Sequence, residues 1–197
     1  RQVRSLARSP EARASVIKSH DKLLDKGHVV AEKDLSPKIQ KLLRSTDDIA
    51  VFIPWNTVTK EASLSTPVRV VFNASSRCAT GESLNSCLAK GQNKLPKILH
   101  MLLRFASKRH CFAADISMAY NAVKLLPEFY TFQRYLWKKG LEESDEIVEM
   151  IITTLIYGVA PAGPLMGAGF EDLANYASKH HPLHEAGAEV LREDTYV

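Results

Sequence analysis

Cys111-Phe112-Ala113-Ala114-Asp115-Ile116 is the stretch on which the reading of this chain turns. Small and apolar residues lead to a carboxylate, and a turn carrying Met118, Ala119 and Tyr120 follows, so the run predicts a strand ending on Asp115. A carboxylate at a strand end is held rigidly at a sheet edge, where it can bind Mg2+ while neighbouring carbonyls add oxygen ligands. The plainer reading makes Asp115 the N-cap of a turn beginning at Ile116, and the pattern alone leaves both open. One carboxylate does not hold two metal ions. Within the chain Asp194 is the nearest further candidate by context.

Working upstream, Pro96 opens a helix that hands the chain to this strand. Its apolar face is Leu99, Leu102, Leu103 and Phe105, and its exposed face carries Lys97, Arg104, Lys108 and Arg109. Those four cations form a stripe suited to phosphate contacts, although charge runs often only solubilise a helix. Before it come two β-rich runs, Ala50 to Pro54 and Val68 to Phe72, read as an antiparallel hairpin whose long tip is Thr57 to Pro67. Arg69 and Lys60 sit in or beside that hairpin, where a guanidinium and an ammonium could clamp a triphosphate; ordinary solvated charge is the alternative. Ser9-Pro10-Glu11 and Ser36-Pro37 each start an amphipathic helix. Ile17, His20, Leu23 and Leu24 recur at helical spacing in the first, and Ile39, Leu42 and Leu43 in the second.

Downstream, Tyr130 to Trp137 alternates as a strand, Lys138-Lys139-Gly140 turns it, and Glu142 to Glu146 forms an acidic bend before a strand from Ile147 to Tyr157. Gly158 to Gly169 reads as a flexible turn into a helix ending near His180-His181-Pro182. Its Gly158-Val159-Ala160-Pro161-Ala162-Gly163-Pro164 start lacks the lysine of a phosphate-cradling loop and the spacing of a dinucleotide fingerprint. His180, His181 and His184 read as surface rather than as a metal site.

The 197 residues have 45% apolar and 24% charged content, which excludes disorder or a fibre as a description of the whole. No apolar run approaches the length of a membrane span, and no hydrophobic signal core opens the chain. Cys78, Cys87 and Cys111 have neither zinc nor disulfide spacing; they read as buried small apolar residues of an intracellular protein. The net charge of +4 conceals a split, for residues 1–110 hold 20 basic and 9 acidic side chains and residues 111–197 hold 6 and 13. A basic half beside an acidic half suggests polyanion binding next to cation binding. The chain begins at Arg1 rather than Met and ends on Tyr196-Val197 in a strand-like context, so it is expected to be a fragment of a longer polyprotein.

In order, Val68-Arg69-Val70-Val71-Phe72-Asn73-Ala74-Ser75, Ser83-Leu84-Asn85, Leu102-Leu103-Arg104-Phe105, Phe112-Ala113-Ala114-Asp115-Ile116 with Met118 and Tyr120, Tyr157-Gly158 and Tyr196-Val197 resemble the reverse transcriptase of Pao-like (BEL/Pao) long-terminal-repeat retrotransposons. The resemblance spans nearly the whole chain. It implies an α+β right-hand polymerase with fingers and palm, an antiparallel palm sheet backed by helices, and no thumb. Residues 1–46 would be a helical lead into the fingers, 47–92 the fingers hairpin and loop, 93–119 the first part of the palm with the catalytic strand, 120–156 the fingers return, and 157–197 the second part of the palm.

The resemblance also implies roles. Asp115 would be the first catalytic aspartate, binding Mg2+ with the Ile116 backbone carbonyl in a two-metal phosphoryl transfer that extends a primer with dNTPs; Mn2+ could substitute. Tyr120 would be the steric gate against a 2′-hydroxyl, Arg69 the fingers arginine over the triphosphate, and Lys60 the lysine of the fingers tip. Tyr157 and Gly158 would pack against the nucleotide, while Lys97, Arg104, Lys108 and Arg109 would track template and primer phosphates. Asn73 stands where relatives usually carry aspartate, and Pro161-Ala162-Gly163-Pro164 departs from the usual pattern after Gly158. Tyr196-Val197 matches the first half of a Tyr-Val-Asp-Asp box.

With one carboxylate of three, this piece is expected to bind Mg2+ and dNTP weakly and to polymerise nothing by itself. Its partners would be an RNA or DNA template with primer, dNTPs, and the protease, thumb, RNase H and integrase segments of the parent polyprotein, with no membrane. The compartment would be the cytoplasm, within a virus-like particle, or the nucleus. The alternative is a decayed retroelement product that acts only as a nucleic-acid-binding or inert α+β module. A basic α+β nucleic-acid-binding domain unrelated to polymerases is a further rival, and it would require Asp115 to be only a helix cap.

Overall fold

A computed structural model describes residues 3, 6, 9–59, 68–92, 96–181 and 185–195. The chain is a mixture of helices and antiparallel sheets, hence α+β. It divides into two compact units, one of residues 1–87 with 124–159 and one of residues 88–123 with 160–197.

The first unit is built on a three-stranded antiparallel sheet in the order β1-β5-β4, where β1 is Val29–Ala31, β4 is Arg134–Lys138 and β5 is Ile147–Ile152. The central strand β5 is rich in β-branched residues and pairs through Val30↔Ile151 on one side and Arg134↔Ile151 on the other. Ile151 and Ile152 are fully buried, each contributing on the order of 1.5–3 kcal/mol by leaving water. Helix α1, Pro10–Asp25, starts as the sequence predicts: Ser9 Oγ accepts from the Ala12 N–H at 3.4 Å, and proline occupies the first turn. It buries Val16 and His20, one turn apart. Helix α2, Pro37–Ser45, buries Leu43.

The hairpin exists, but its first arm lies five residues later than the sequence suggests. Strand β2, Trp55–Thr59, pairs with β3, Val68–Phe72, in the register Trp55↔Phe72 to Thr59↔Val68. The run Ala50 to Pro54 is extended for another purpose. Val51 N–H donates to Thr131 O at 2.9 Å, Ile53 N–H to Arg134 O at 2.7 Å, and Phe52 bridges Arg134 in parallel sense. Pro54, with no N–H, then ends that pairing. Lys60 and the tip beyond it lie outside the described residues.

Two further differences are local. Pro127 fixes a helical φ and turns Pro127–Phe132 into a 3-10 helix, so the expected strand begins only at Arg134. In the bend after β4, Leu141 is fully buried with φ +55 while Asp145 Oδ2 accepts from the N–H groups of Gly140 at 2.9 Å and Glu142 at 2.8 Å. The acidic bend is thus wrapped around one of its own carboxylates. A short helix α3, Leu84–Cys87, completes this unit and buries Leu84.

The second unit holds α4, Ile98–Ser107, a 3-10 turn at Ala119–Ala122, α5, Ala162–His180, and α6, Glu185–Glu193. The expected flexible turn at 158–169 is mostly helix: α5 takes in Gly163, Gly167 and Gly169. Ala162, Met166, Phe170 and Ala174 recur at four-residue spacing and are all buried, and that apolar stripe outweighs the poor helix propensity of glycine. Helices α5 and α6 pack together, with Arg192 donating to Asn175 Oδ1 at 3.2 Å and Ser178 Oγ at 3.0 Å.

Two expectations in this unit are overturned. Residues 111–116 form no strand; the segment is unpaired and exposed, with Phe112 87% accessible. An apolar run becomes a strand only beside a partner ladder, and no strand of the described residues pairs with it. The leucines of α4 do not form a buried face either. Leu99, Leu102 and Leu103 are each about 60% accessible, whereas Arg104, on the supposedly exposed face, is the half-buried one. The cysteines are likewise exposed rather than core: Cys78, Cys87 and Cys111 are all free and accessible. Among the described residues no helix is long and apolar enough to cross a membrane.

Candidate functional site

Three sequence motifs far apart in the chain meet where β3 ends. The Asn73 N–H donates to Pro54 O at 2.9 Å, which turns the chain out of the hairpin. Asn73 Oδ1 then accepts from the Ser75 N–H at 3.1 Å, an Asx turn that aspartate would form equally well. Buried Ala74 presents its carbonyl to the Asn85 N–H at 3.0 Å. The Asn85 side-chain amide donates to Ser75 Oγ and to Gly158 O, both at 2.8 Å. Residues 73–75, 85 and 158 thereby form one hydrogen-bonded knot.

The loop that delivers Asn85 is stiffened by its own polar groups. Ser83 and Ser86 cap each other, with Ser83 N–H donating to Ser86 Oγ at 2.8 Å and Ser86 N–H to Ser83 Oγ at 3.1 Å. The Cys78 N–H donates to Glu82 O at 2.7 Å, and Gly81 turns the chain at φ +89. The Thr80 hydroxyl beside Cys78 pulls that thiol below its ordinary pKa. Buried Leu84 anchors the loop.

At the far side of the knot Gly158 has φ +90, which only glycine adopts without strain. A Cβ there would lie 3.9 Å from Phe72 O, so the turn runs close past the end of β3. Tyr157, immediately before it, is 79% accessible. Arg69 lies on β3 opposite Val58, on the face away from Val70 and Phe72, and is exposed. Phe72 packs at 4.9 Å from Tyr135, and the Val70 N–H donates to Ser19 Oγ at 3.3 Å, so the opposite face of the strand is the one fixed to the unit. The Tyr157 ring and the Arg69 side chain are thus both exposed on this unit.

The second unit carries the other predicted residues. Asp115 is exposed, and its carboxylate has no hydrogen-bond or ion-pair partner among the described residues. The turn that follows starts at Ala119, with Met118 as its N-cap at φ +55, so Asp115 is not the cap that the plainer reading makes it. Tyr120 is half-buried within that turn. Ile116 is exposed. Among the described residues no group of three His, Cys, Asp or Glu could hold a metal ion. Asp194 is engaged elsewhere, accepting from Arg104 Nε at 2.8 Å.

The basic stripe is divided. Lys97, Lys108 and Arg109 are exposed. The Arg104 guanidinium instead serves the C-terminus of α6, donating to Glu193 O as well as to Asp194, a favoured place for a cation. His180 and His181 lie beside Tyr176 at 4.4 and 6.3 Å. His184, Lys60, Tyr196 and Val197 lie outside the described residues.

Two residues with strong environments were not singled out by sequence. Asn85 was visible only as part of a Ser-Leu-Asn triplet, which in a Gly/Ser-rich loop looks like any turn. Arg134 is buried, with its guanidinium on Asp47 Oδ1 at 2.8 Å, Glu149 Oε1 at 3.0 Å, Leu43 O at 2.9 Å and Thr131 Oγ1 at 2.9 Å. Nothing in an alternating strand pattern marks a charge as the one turned inward. No known family model matches this chain, and no curated protein matches it.

Proposed function

We propose that this chain is the fingers-and-palm portion of an RNA-directed DNA polymerase of the BEL/Pao retrotransposon type, a nucleotidyltransferase that extends a primer with dNTPs. The observation that carries this reading is the knot at the end of β3: Asn73–Ser75, Asn85 and Gly158, quoted from three separate motifs of the resemblance, are joined by hydrogen bonds across 10 and 73 residues of sequence. The chain also alternates between its two units, leaving the first at residue 87, returning at 124 and leaving again at 159. In this reading the first unit corresponds to the fingers and the second to the palm, with two departures: Tyr157 and Gly158, expected in the palm, lie in the first unit, and the described residues of the second unit carry no strand where an antiparallel palm sheet is expected.

In this reading Arg69 binds the triphosphate, Tyr157 and Gly158 carry the base and sugar, Tyr120 excludes a 2′-hydroxyl, and Lys97, Lys108 and Arg109 bind nucleic-acid phosphates. Lys60 belongs to the fingers tip. Arg104 contributes by holding α4 to α6 rather than by a free guanidinium. Asp115 and the Ile116 carbonyl are the oxygen ligands this chain offers to Mg2+, whose chemistry is to activate the primer hydroxyl and stabilise the leaving pyrophosphate. One carboxylate and one carbonyl fit one side of a single ion and do not make a two-ion site.

The test is primer extension by a longer protein in which Asp-Asp and a thumb follow Val197. Mg2+-dependent incorporation of dNTPs that is lost in Asp115→Asn supports the reading, and its absence from a folded protein overturns it.

A further inference from the structure

We propose that Asn85 is a positioning residue: its side-chain amide fixes the Tyr157-Gly158 turn so that the Tyr157 ring is offered to a nucleobase in one orientation. The inference rests on the reading of Tyr157 as a nucleotide contact and adds to it the device that holds the ring in place. Gly158 O is purely an acceptor, so the group 2.8 Å from it must be the Asn85 NH2. The same nitrogen reaches Ser75 Oγ at 2.8 Å, and the Asn85 backbone N–H is held by Ala74 O at 3.0 Å. Asn85 therefore ties the turn to the chain leaving β3, three residues after Phe72 and six after Arg69.

A tether is needed at this point for a physical reason. Gly158 permits the φ of +90 but, as glycine, also permits many other conformations, so the turn has no intrinsic preference for the one observed. Tyr157 is 79% accessible, so little packing restrains its ring. The Asn85 hydrogen bond to Gly158 O restrains the peptide plane joining Gly158 to Val159. Pre-setting that plane removes part of the ordering cost a bound base would otherwise meet. Asparagine is specific for the task. Aspartate has the same shape but would face Gly158 O with an acceptor, serine is too short, and glutamine is one methylene too long.

The test uses the 197-residue chain, with Asn85→Asp as the isosteric variant and Asn85→Ala as a second variant that adds no charge. Amide hydrogen exchange at residues 157–159 is measured first, with the Trp55–Thr59 amides as an internal reference. The expected result is exchange at least ~10-fold faster at 157–159 in both variants with the reference unchanged; equal exchange overturns the tether. Binding of dTTP with Mg2+ is then measured for the native chain, Asn85→Asp, Tyr157→Ala and the double variant. If Asn85 acts through Tyr157, each single change weakens binding ~10-fold and the double variant is no weaker than Tyr157→Ala. Additive losses overturn the positioning role. A native chain that binds no dTTP overturns the nucleotide reading and with it the orientation of a base, while the exchange result still decides whether the tether exists.

Discussion

His20 lies flat on Trp137, with ring centroids 3.7 Å apart and planes 5° from parallel, while its Nε2 is 2.8 Å from the Tyr135 hydroxyl. Trp137 in turn touches Trp55 at 4.7 Å, and Tyr135 touches Phe72 at 4.9 Å. Five rings from α1, β4 and both hairpin strands thus form one cluster, which joins the helix and hairpin to the three-stranded sheet. Hydrophobic burial holds the cluster, and the histidine makes it sensitive to acid.

Burial pushes the His20 pKa down to about 4 from 6.5, and its buried Nδ1 has no hydrogen-bond partner among the described residues. Between those values the unfolded chain takes up a proton that the folded chain refuses. The contribution of His20 is therefore intact above pH 6.5, declines as pH falls towards 4 and is constant below it. The total loss is about 3 kcal/mol. Urea midpoints at pH 7.5 and 4.5 should show this loss in the native protein and a smaller one in His20→Phe. Equal losses in the two proteins would refute the assignment.

Arg134 should be the most costly charge to remove. Its guanidinium satisfies Leu43 O, Thr131 Oγ1, Asp47 and Glu149 at once, and its side chain is only 3% accessible. Arg134→Met leaves the half-buried Glu149 carboxylate without its cation, for an expected loss of about 3–5 kcal/mol. Arg134→Lys should recover less than half, because one ammonium cannot span four acceptors. Asp47→Asn should cost under ~1 kcal/mol, since Asp47 is 69% accessible. Denaturant unfolding of the three variants ranks them; a mild Arg134→Met would show that the cluster is peripheral.

Two glycines should respond with opposite signs. Gly158→Ala places a Cβ at φ +90 and should destabilise by about 1–2 kcal/mol although it meets nothing closer than 3.9 Å. Gly187, inside α6, has no φ constraint and no atom within 4 Å of an added Cβ. Gly187→Ala should stabilise by about 0.5–1 kcal/mol through helix propensity and the stiffer unfolded chain. Thermal unfolding of both proteins checks the signs.

What was legible in the sequence follows from which physics is local. The start of α1 was readable because Ser9 and Pro10 act on their own backbone, and β3 because Val68 to Phe72 is β-rich whichever partner it finds. The first arm of the hairpin was misplaced because Ala50 to Pro54 is equally strand-like and only tertiary pairing with β4 tells the two apart. The turning of α4 was hidden for the same reason: the choice between burying Leu102 or Arg104 is made by Asp194, 90 residues away. Charge misled most. Dividing the chain at residue 110 gives a basic and an acidic half, but the units hold 18 basic against 15 acidic and 8 against 7 side chains, so the asymmetry along the chain is not an asymmetry between folded bodies. The Asn85 knot was half legible, since its members were quoted but nothing local said that they touch.

The exposed leucines of α4 should matter for solubility and not for stability. Leu99, Leu102 and Leu103 are 62%, 59% and 61% accessible, so replacing Leu99 and Leu103 by Gln removes little buried area and should change the unfolding free energy by under ~0.5 kcal/mol. The same change should reduce concentration-dependent association in sedimentation velocity, because contiguous apolar surface of this kind promotes it. A large loss of stability instead would mean that these side chains are covered in solution.

Asp115→Asn separates the two roles considered for that carboxylate. A capping aspartate replaced by asparagine would be tolerated, but Asp115→Ala would cost about 1 kcal/mol. Met118, not Asp115, occupies the N-cap of the turn, and Asp115 has no hydrogen-bond or ion-pair partner among the described residues. Both substitutions should therefore leave the melting temperature within about 1 °C of native, where each kcal/mol corresponds to roughly 2–4 °C for a chain of this size. A metal-binding role then shows only when Mn2+ is present. Paramagnetic broadening of resonances at residues 114–117 should occur in the native chain and disappear in Asp115→Asn with stability unchanged. Broadening that survives the substitution removes Asp115 from the metal site, and a drop in melting temperature without Mn2+ restores it to the helix cap.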